Sequence, residues 1–308
     1  MSQEIESEIK KIPVVRNLMY LTKKVKLPWL EGLSLYDLLE LYIIGIVQGA
    51  ISYRAGAIAF SFFMALFPFA LFILNLIPLI PIEGFQQDFL RFLEDSVPPN
   101  TYEAVAAIIS DIISNSYKGL LSSGFVLSIF LMANGLSAIL GGFENSHHVL
   151  IKRGFFRQYF VALAMSLLLS VLLIVTVAIT VIFEVFIQST SIQEVFGERI
   201  QLIVIGRYVF FMLMILITTS ILFKFGTKET KKNSFISIGS VFTTFLIILS
   251  SYVFGIWVLK FSKYNELYGS IGTLLIMMFY IWLNCMILLL GFELNATINR
   301  FKRRNLFN

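Results

Sequence analysis

Six long apolar runs, separated by short charged segments, organise this chain: Ala55–Pro81, Gly119–Phe143, Gln158–Ile187, Ile200–Phe223, Ser234–Leu259 and Gly269–Ile298. Each exceeds the roughly 20 residues that a helix needs to cross a bilayer. Hydrocarbon offers backbone amides no partner, so such runs are expected to be helical. A membrane β-barrel would alternate apolar and polar positions in segments of about ten residues, and these runs do not alternate. The predicted fold is all-α: a polytopic membrane helix bundle with six transmembrane helices. Its segments are expected to be an N-terminal stretch 1–33, a membrane domain 34–300 and a basic tail 301–308.

Two segments outside the runs carry a different pattern. Ser34–Ser52 opens with Ser34 and Asp37 in helix-start positions, and Leu35, Leu38, Leu39, Tyr42 and Ile46 recur at helical spacing. Its unbroken apolar stretch, Leu41–Val47, is too short to span, so an interfacial helix is expected. A seventh span is the alternative, and it would upset the charge pattern below. The loop 82–118 is acidic and carries two amphipathic stretches: Phe85, Phe89, Phe92 and Leu93, then Val105, Ile108, Ile109 and Ile112. Pro98 and Pro99 separate them, and Asn100 with Glu103 forms a capping box for the second. A helical hairpin capping the outer side is expected, acting as a static cover or as a lid.

Composition supports the membrane reading: 57% of the 308 residues are hydrophobic and 14% charged, against about 25% charged in soluble domains. Lys and Arg placement orients the spans. Residues 1–54, the loop after the second run, the segment after the fourth and the tail together hold 18 of them, and the alternate loops hold five. The positive-inside rule then puts both termini in the cytoplasm. The net charge of +5 fits anionic headgroups rather than nucleic acid. Cys285 is the single cysteine, which excludes an intrachain disulfide and a cysteine-rich metal site. The charged N-terminal stretch has no apolar core of the kind a cleavable signal peptide carries.

Polar groups inside apolar spans are expensive and are therefore the functional candidates. Arg54, Asn75, Asn134, Glu184, Arg207, Asn284, Glu293 and Asn295 form that set of substrate-pathway candidates. Glu184 and Arg207 lie on neighbouring spans joined on the outer side. Two readings stand for them: a salt bridge stapling the bundle, or an Arg207 fork that receives a phosphate or carboxylate. Arg54 and Glu293 stand at matched depth near the cytoplasmic face, so they are expected to approach each other; headgroup snorkelling of Arg54 is the alternative. The asparagines suit hydrogen bonding between helices. Pro68, Pro78 and Pro81 are expected to kink or end the first span. His147 and His148 are adjacent, so they cannot share one helix face, and no carboxylate–His cluster surrounds them, so no metal site is expected. No phosphate-binding loop and no serine-nucleophile elbow occurs. No cofactor and no enzymatic activity are expected.

Three stretches carry a family resemblance: YRAGAIAFSFFMALFPFALF (Tyr53 to Phe72), FSKYNELYGSIGTLL (Phe261 to Leu275) and LLLGFELNATINR (Leu288 to Arg300). With them, residues from about 36 to 300 resemble the YihY/BrkB family of bacterial inner-membrane proteins. Tyr264, Tyr268, Gly269, Glu293, Leu294 and Asn295 carry the signature. FENSHH, after the second run, departs from the family's asparagine–arginine–tyrosine pattern. The resemblance implies six transmembrane helices with cytoplasmic termini, and an envelope role such as lipid or small-molecule export, linked to serum resistance in pathogens. It also brings a ribonuclease label, which this sequence does not support: the His/Asp metal cluster of a hydrolytic nuclease is missing. The expected function is transport or export of an amphipathic or anionic substrate such as a lipid. A non-transporting scaffold of envelope machinery is the alternative. Membrane lipids are the expected partners, with a second copy of the chain or envelope proteins as further ones, and no nucleic acid.

Overall fold

The computed structural model describes residues 34, 36, 50–76, 87, 90–91, 120–146, 149, 151–188, 200–228, 234–260 and 270–305. Within them run six α-helices: α1 (Ile51–Leu76), α2 (Leu120–Glu144), α3 (Phe155–Gln188), α4 (Ile200–Gly226), α5 (Ile238–Lys260) and α6 (Ser270–Asn305). Four hold described stretches long and apolar enough to cross a membrane: Phe155–Phe183, Val204–Gly226, Ile238–Val258 and Leu274–Asn299. In α1 and α2 the qualifying stretches are shorter, Ile51–Leu66 and Ile129–Glu144. The expected outer hairpin lies outside the described residues except for helical positions at Gln87, Leu90 and Arg91. The expected interfacial helix also lies outside them, apart from its ends. There, Ala50 turns the chain with φ of 45°, and α1 begins at Ile51, two residues inside the interval expected for that helix. A left-handed residue cannot continue a helix, so Ala50 separates α1 from what precedes it.

The helices are apolar on nearly every face, so they leave large hydrophobic surfaces exposed. On α5, Val241, Phe245, Leu249, Tyr252, Val253 and Ile256 are all exposed and fall on one helical stripe. Water would penalise such a stripe, whereas acyl chains are as apolar as the side chains themselves. Several hydroxyl groups inside the helices are satisfied locally. Ser170 Oγ donates to Ser166 O, Thr180 Oγ1 to Thr176 O, Thr218 Oγ1 to Met214 O and Ser251 Oγ to Ile247 O, each at 2.7–2.8 Å. This back-bonding lets a serine or threonine sit in a span without an outside partner.

The chain divides into two compact units. The first comprises Met1–Ala59, Ile139–Arg153 and Thr219–Asn308. It holds the start of α1, the ends of α2 and α4 and the whole of α5 and α6, and its contacts bring those ends together with the start of α5 and the second half of α6. Phe143 of α2 stacks on Phe292 of α6 at 4.3 Å between centroids, and Phe223 of α4 meets both edge-on at 5.7 and 5.9 Å. Added Cβ atoms would run into Ile58 Cδ1 at Gly142, and into the Phe143 ring at Gly226. These glycines let the helix ends close over the aromatic core. The α5–α6 pair is antiparallel: Gly239 faces Gly291 and Asn295, Thr243 faces Gly291, and Ser251 Oγ bonds Tyr280 Oη at 2.7 Å. The second unit comprises Phe60–Ala138 and Gly154–Thr218. In it Gly135 of α2 packs on Ala65 of α1. Gln158 Nε2 of α3 donates to Ser137 O of α2 at 3.1 Å, and Phe183 of α3 contacts Phe210 of α4.

Candidate functional site

A helix leaves its last four carbonyls and first four amides without intrahelical partners. In the first unit, side chains drawn from other parts of the chain fill several of these positions. Arg54, in the first turn of α1, donates Nη1–H to Gly142 O at 2.8 Å, an end carbonyl of α2. Arg153 donates Nη1–H to Gly226 O at 2.8 Å and Nη2–H to Phe225 O at 2.9 Å, closing the end of α4. A cation there also meets the negative end of the helix dipole. At the opposite kind of terminus, Asn295 Oδ1 accepts Gly239 N–H at 2.9 Å while Nδ2 donates to Ser237 Oγ at 2.6 Å. Ser237 and Ser240 bond each other's backbone and hydroxyl groups. Together they cap the start of α5, which explains why it opens at Ile238 although the apolar run begins at Ser234.

Two buried carboxylates balance the two arginines. Glu293 is fully buried; its Oε2 accepts Ser146 Oγ–H at 2.8 Å and lies 3.8 Å from Arg54 Nη2. The expected approach of Arg54 and Glu293 is thus observed. Glu144 Oε2 accepts the Arg153 backbone N–H at 3.1 Å, and Oε1 lies 3.7 Å from Arg153 Nη1. Arg54 Nε and Nη2, both buried, make no hydrogen bond. That contact is therefore an ion pair without the forked bond that best repays desolvation. Arg54 stands at the start of α1 and Glu144 at the end of α2, and each pair links separate stretches of chain.

The remaining candidates divide by burial. Asn295 and Leu294 are buried beside Glu293. Asn284 is half-buried and donates Nδ2–H to Tyr280 O of its own helix at 2.8 Å. Arg207 is half-buried, with its guanidinium carbon 5.5 Å from the centre of the Tyr208 ring. Asn134 is exposed, ten residues before the end of α2, and lies on a face with exposed Leu127 and Phe130. The side chains of Asn75 and Glu184 lie outside the described residues, as do Tyr264, Tyr268 and Gly269. Nothing in the residue pattern singled out Glu144, Ser146 or Arg153. Their available signal was position, since an acid and a hydroxyl follow within four residues of the Gly141–Gly142 pair near the end of α2, and a base lies seven residues further on.

Known proteins place these features in a family. The chain is 27% identical over 254 residues to the protein named ribonuclease-like YfkH of Bacillus subtilis (strain 168), covering 81% of this chain and 90% of that one. It is 26% identical over 247 residues to a UPF0761 membrane protein of Coxiella burnetii (strain Dugway 5J108-111), covering 78% and 85%. No solved structure matches it. The family model described as virulence factor BrkB matches residues 45–306, which take in all six helices and both ion pairs, and the chain therefore belongs to the virulence factor BrkB family.

Proposed function

We propose that this membrane protein moves an amphipathic substrate, lipid-like and anionic, along the face of α2 that carries Asn134. The exposed amide of Asn134 carries the reading. Ten residues from the helix end it stands about 15 Å inside that end, close to mid-membrane depth. Lipid cannot satisfy an amide there, and polar groups at that depth mark pathways or partners. Leu127 and Phe130 on the same face suit the apolar part of such a substrate. Arg207 adds a cation with fork geometry for a phosphate or carboxylate. The reading includes no catalytic step. The ribonuclease-like name belongs to the Bacillus protein and is not carried over.

The same reading places six spans in a bacterial cytoplasmic membrane, with both termini inside. The gathering of the ends of α2, α4 and α6 with the starts of α1 and α5 supports it, because alternating crossings put those termini on one side. Arg54, Lys152, Arg153, Lys224 and Lys228 also cluster around those termini, as the positive-inside rule requires of a cytoplasmic face.

A scaffold is the second reading, favoured by one observation. Arg54, Arg153, Glu144, Glu293 and Asn295 are all spent on helix ends and on one another, as a static organiser would spend them. A lipid-translocation measurement in proteoliposomes separates the two. With a membrane-impermeant reductant added outside, a fluorescent phospholipid of the inner leaflet should lose its signal faster in wild-type proteoliposomes than in protein-free vesicles. Replacing the amide by an isosteric apolar group, Asn134→Leu, removes a hydrogen bond of about 1–2 kcal/mol and should slow that rate about tenfold. Absence of any rate above protein-free vesicles, with the fold intact, favours the scaffold.

A further inference from the structure

We infer that the first turns of α3 bind the phosphate of an anionic phospholipid, through Arg157 flanked by Phe155, Phe156 and Phe160. The inference rests on α3 and its packing against α2 and is independent of the transport reading. Phe155, Phe156 and Phe160 are 77%, 77% and 67% exposed, and Arg157 is exposed among them.

The depth of this group follows from the helix itself. Exposed apolar side chains run down α3 from Phe160 through Leu167, Leu168, Val171 and Val175 to Ile182. Those 22 residues of rise span about 33 Å, close to the roughly 30 Å hydrocarbon thickness of a bilayer. The stripe therefore fills the acyl region from leaflet to leaflet. Arg157 stands one turn, about 4.5 Å, beyond its start, which is headgroup level. Rotation agrees with depth, because Arg157, Phe160, Leu168, Val171 and Val175 share one side of the helix.

The position is also fixed. Gln158 Nε2 donates to Ser137 O of α2 at 3.1 Å, and Tyr159 packs near Phe130 of the same helix. The first turn of α3 is thus clamped to α2 while Arg157 remains exposed. A guanidinium so placed offers two parallel N–H groups to phosphate oxygens, while Phe160, on the hydrocarbon side of Arg157, lies against the upper acyl carbons and Phe155 and Phe156 stand at headgroup level. A net negative lipid is favoured over a zwitterionic one, which carries its own cation beside the phosphate.

Native mass spectrometry of the full chain tests this, after purification from vesicles containing equal phosphatidylglycerol and phosphatidylcholine. Wild type should retain phosphatidylglycerol with about a fivefold preference, the order expected for one basic residue at the membrane surface. Arg157→Gln should lose that preference at unchanged melting temperature, and Arg157→Lys should keep part of it. Equal retention of the two lipids by wild type overturns the inference. So does a full preference in folded Arg157→Gln.

Discussion

Gly291 faces Thr243 Oγ1 and the carbonyl of Gly239 so closely that an added Cβ would overlap the hydroxyl and lie 3.0 Å from the carbonyl oxygen. Gly291→Ala should therefore force α5 and α6 apart, at about 1–3 kcal/mol. A thermal-shift measurement in detergent should show the loss. Thr243→Ala in the same chain should restore part of it, because it removes the clashing oxygen. Asn295→Ala tests the cap on α5; losing an N-cap side chain costs about 1 kcal/mol. Asn295→Asp keeps the acceptor for Gly239 N–H and should be milder, although it surrenders the donor to Ser237. Arg54→Ala strands the buried Glu293 charge, and breaking one partner of such a pair costs about 3–5 kcal/mol. Arg54→Met with Glu293→Leu should recover much of that loss, because no lone charge remains. Additive damage in the double variant would show that these residues act separately. At this scale the sequence exposed the Arg54–Glu293 pair, since matched depth and opposite charge were enough. The Glu144–Arg153 pair was hidden, because its geometry depends on where the chain turns after α2, and residue order does not specify that turn.

Elements were legible where hydrophobicity decides them. The apolar runs of α2, α3 and α4 lie within three residues of the helix boundaries at both ends, and those of α5 and α6 do so at one end. Departures have local causes. α5 starts four residues late because Ser237, Ser240 and Asn295 organise a cap at its head. α6 continues seven residues past Ile298, through Asn305, because Asn, Arg and Lys are compatible with a helix outside lipid although hydropathy stops there. The α1 helix runs through Pro68, which removes one backbone donor and does not end the helix. Arg153 illustrates what sequence reading leaves out at this scale: two carbonyls at the end of α4 depend on a residue 72 and 73 positions away. Arg153→Gln should loosen that end. Hydrogen exchange is the suitable measurement, and the amides of the last turn of α4 should exchange faster while those in the middle of α3 stay unchanged. Uniform exchange along α4 would contradict the capping role.

For the whole molecule, the all-helical architecture and membrane character followed from the length of the apolar runs, and family membership from the two motifs near the C-terminus. The collection of helix ends in one unit did not follow, because it depends on close contacts at Gly142, Gly226, Gly239 and Gly291 that no run of hydrophobicity encodes. Orientation is open to a direct test. Cys285 is buried, so introduced thiols can be labelled with little background. Ser234→Cys should react only from the cytoplasmic side and Ser96→Cys only from outside; the reverse pattern would invert the topology. The central claim, that α2 presents a polar pathway through Asn134, is tested most directly by water access at that position. Asn134→Cys and Val253→Cys, the latter on the lipid-facing stripe of α5, are compared with a membrane-impermeant maleimide in intact proteoliposomes. The account predicts labelling at position 134 and none at 253. Labelling at neither, with a lipid-soluble maleimide reaching both, would place Asn134 in lipid and contradict the account.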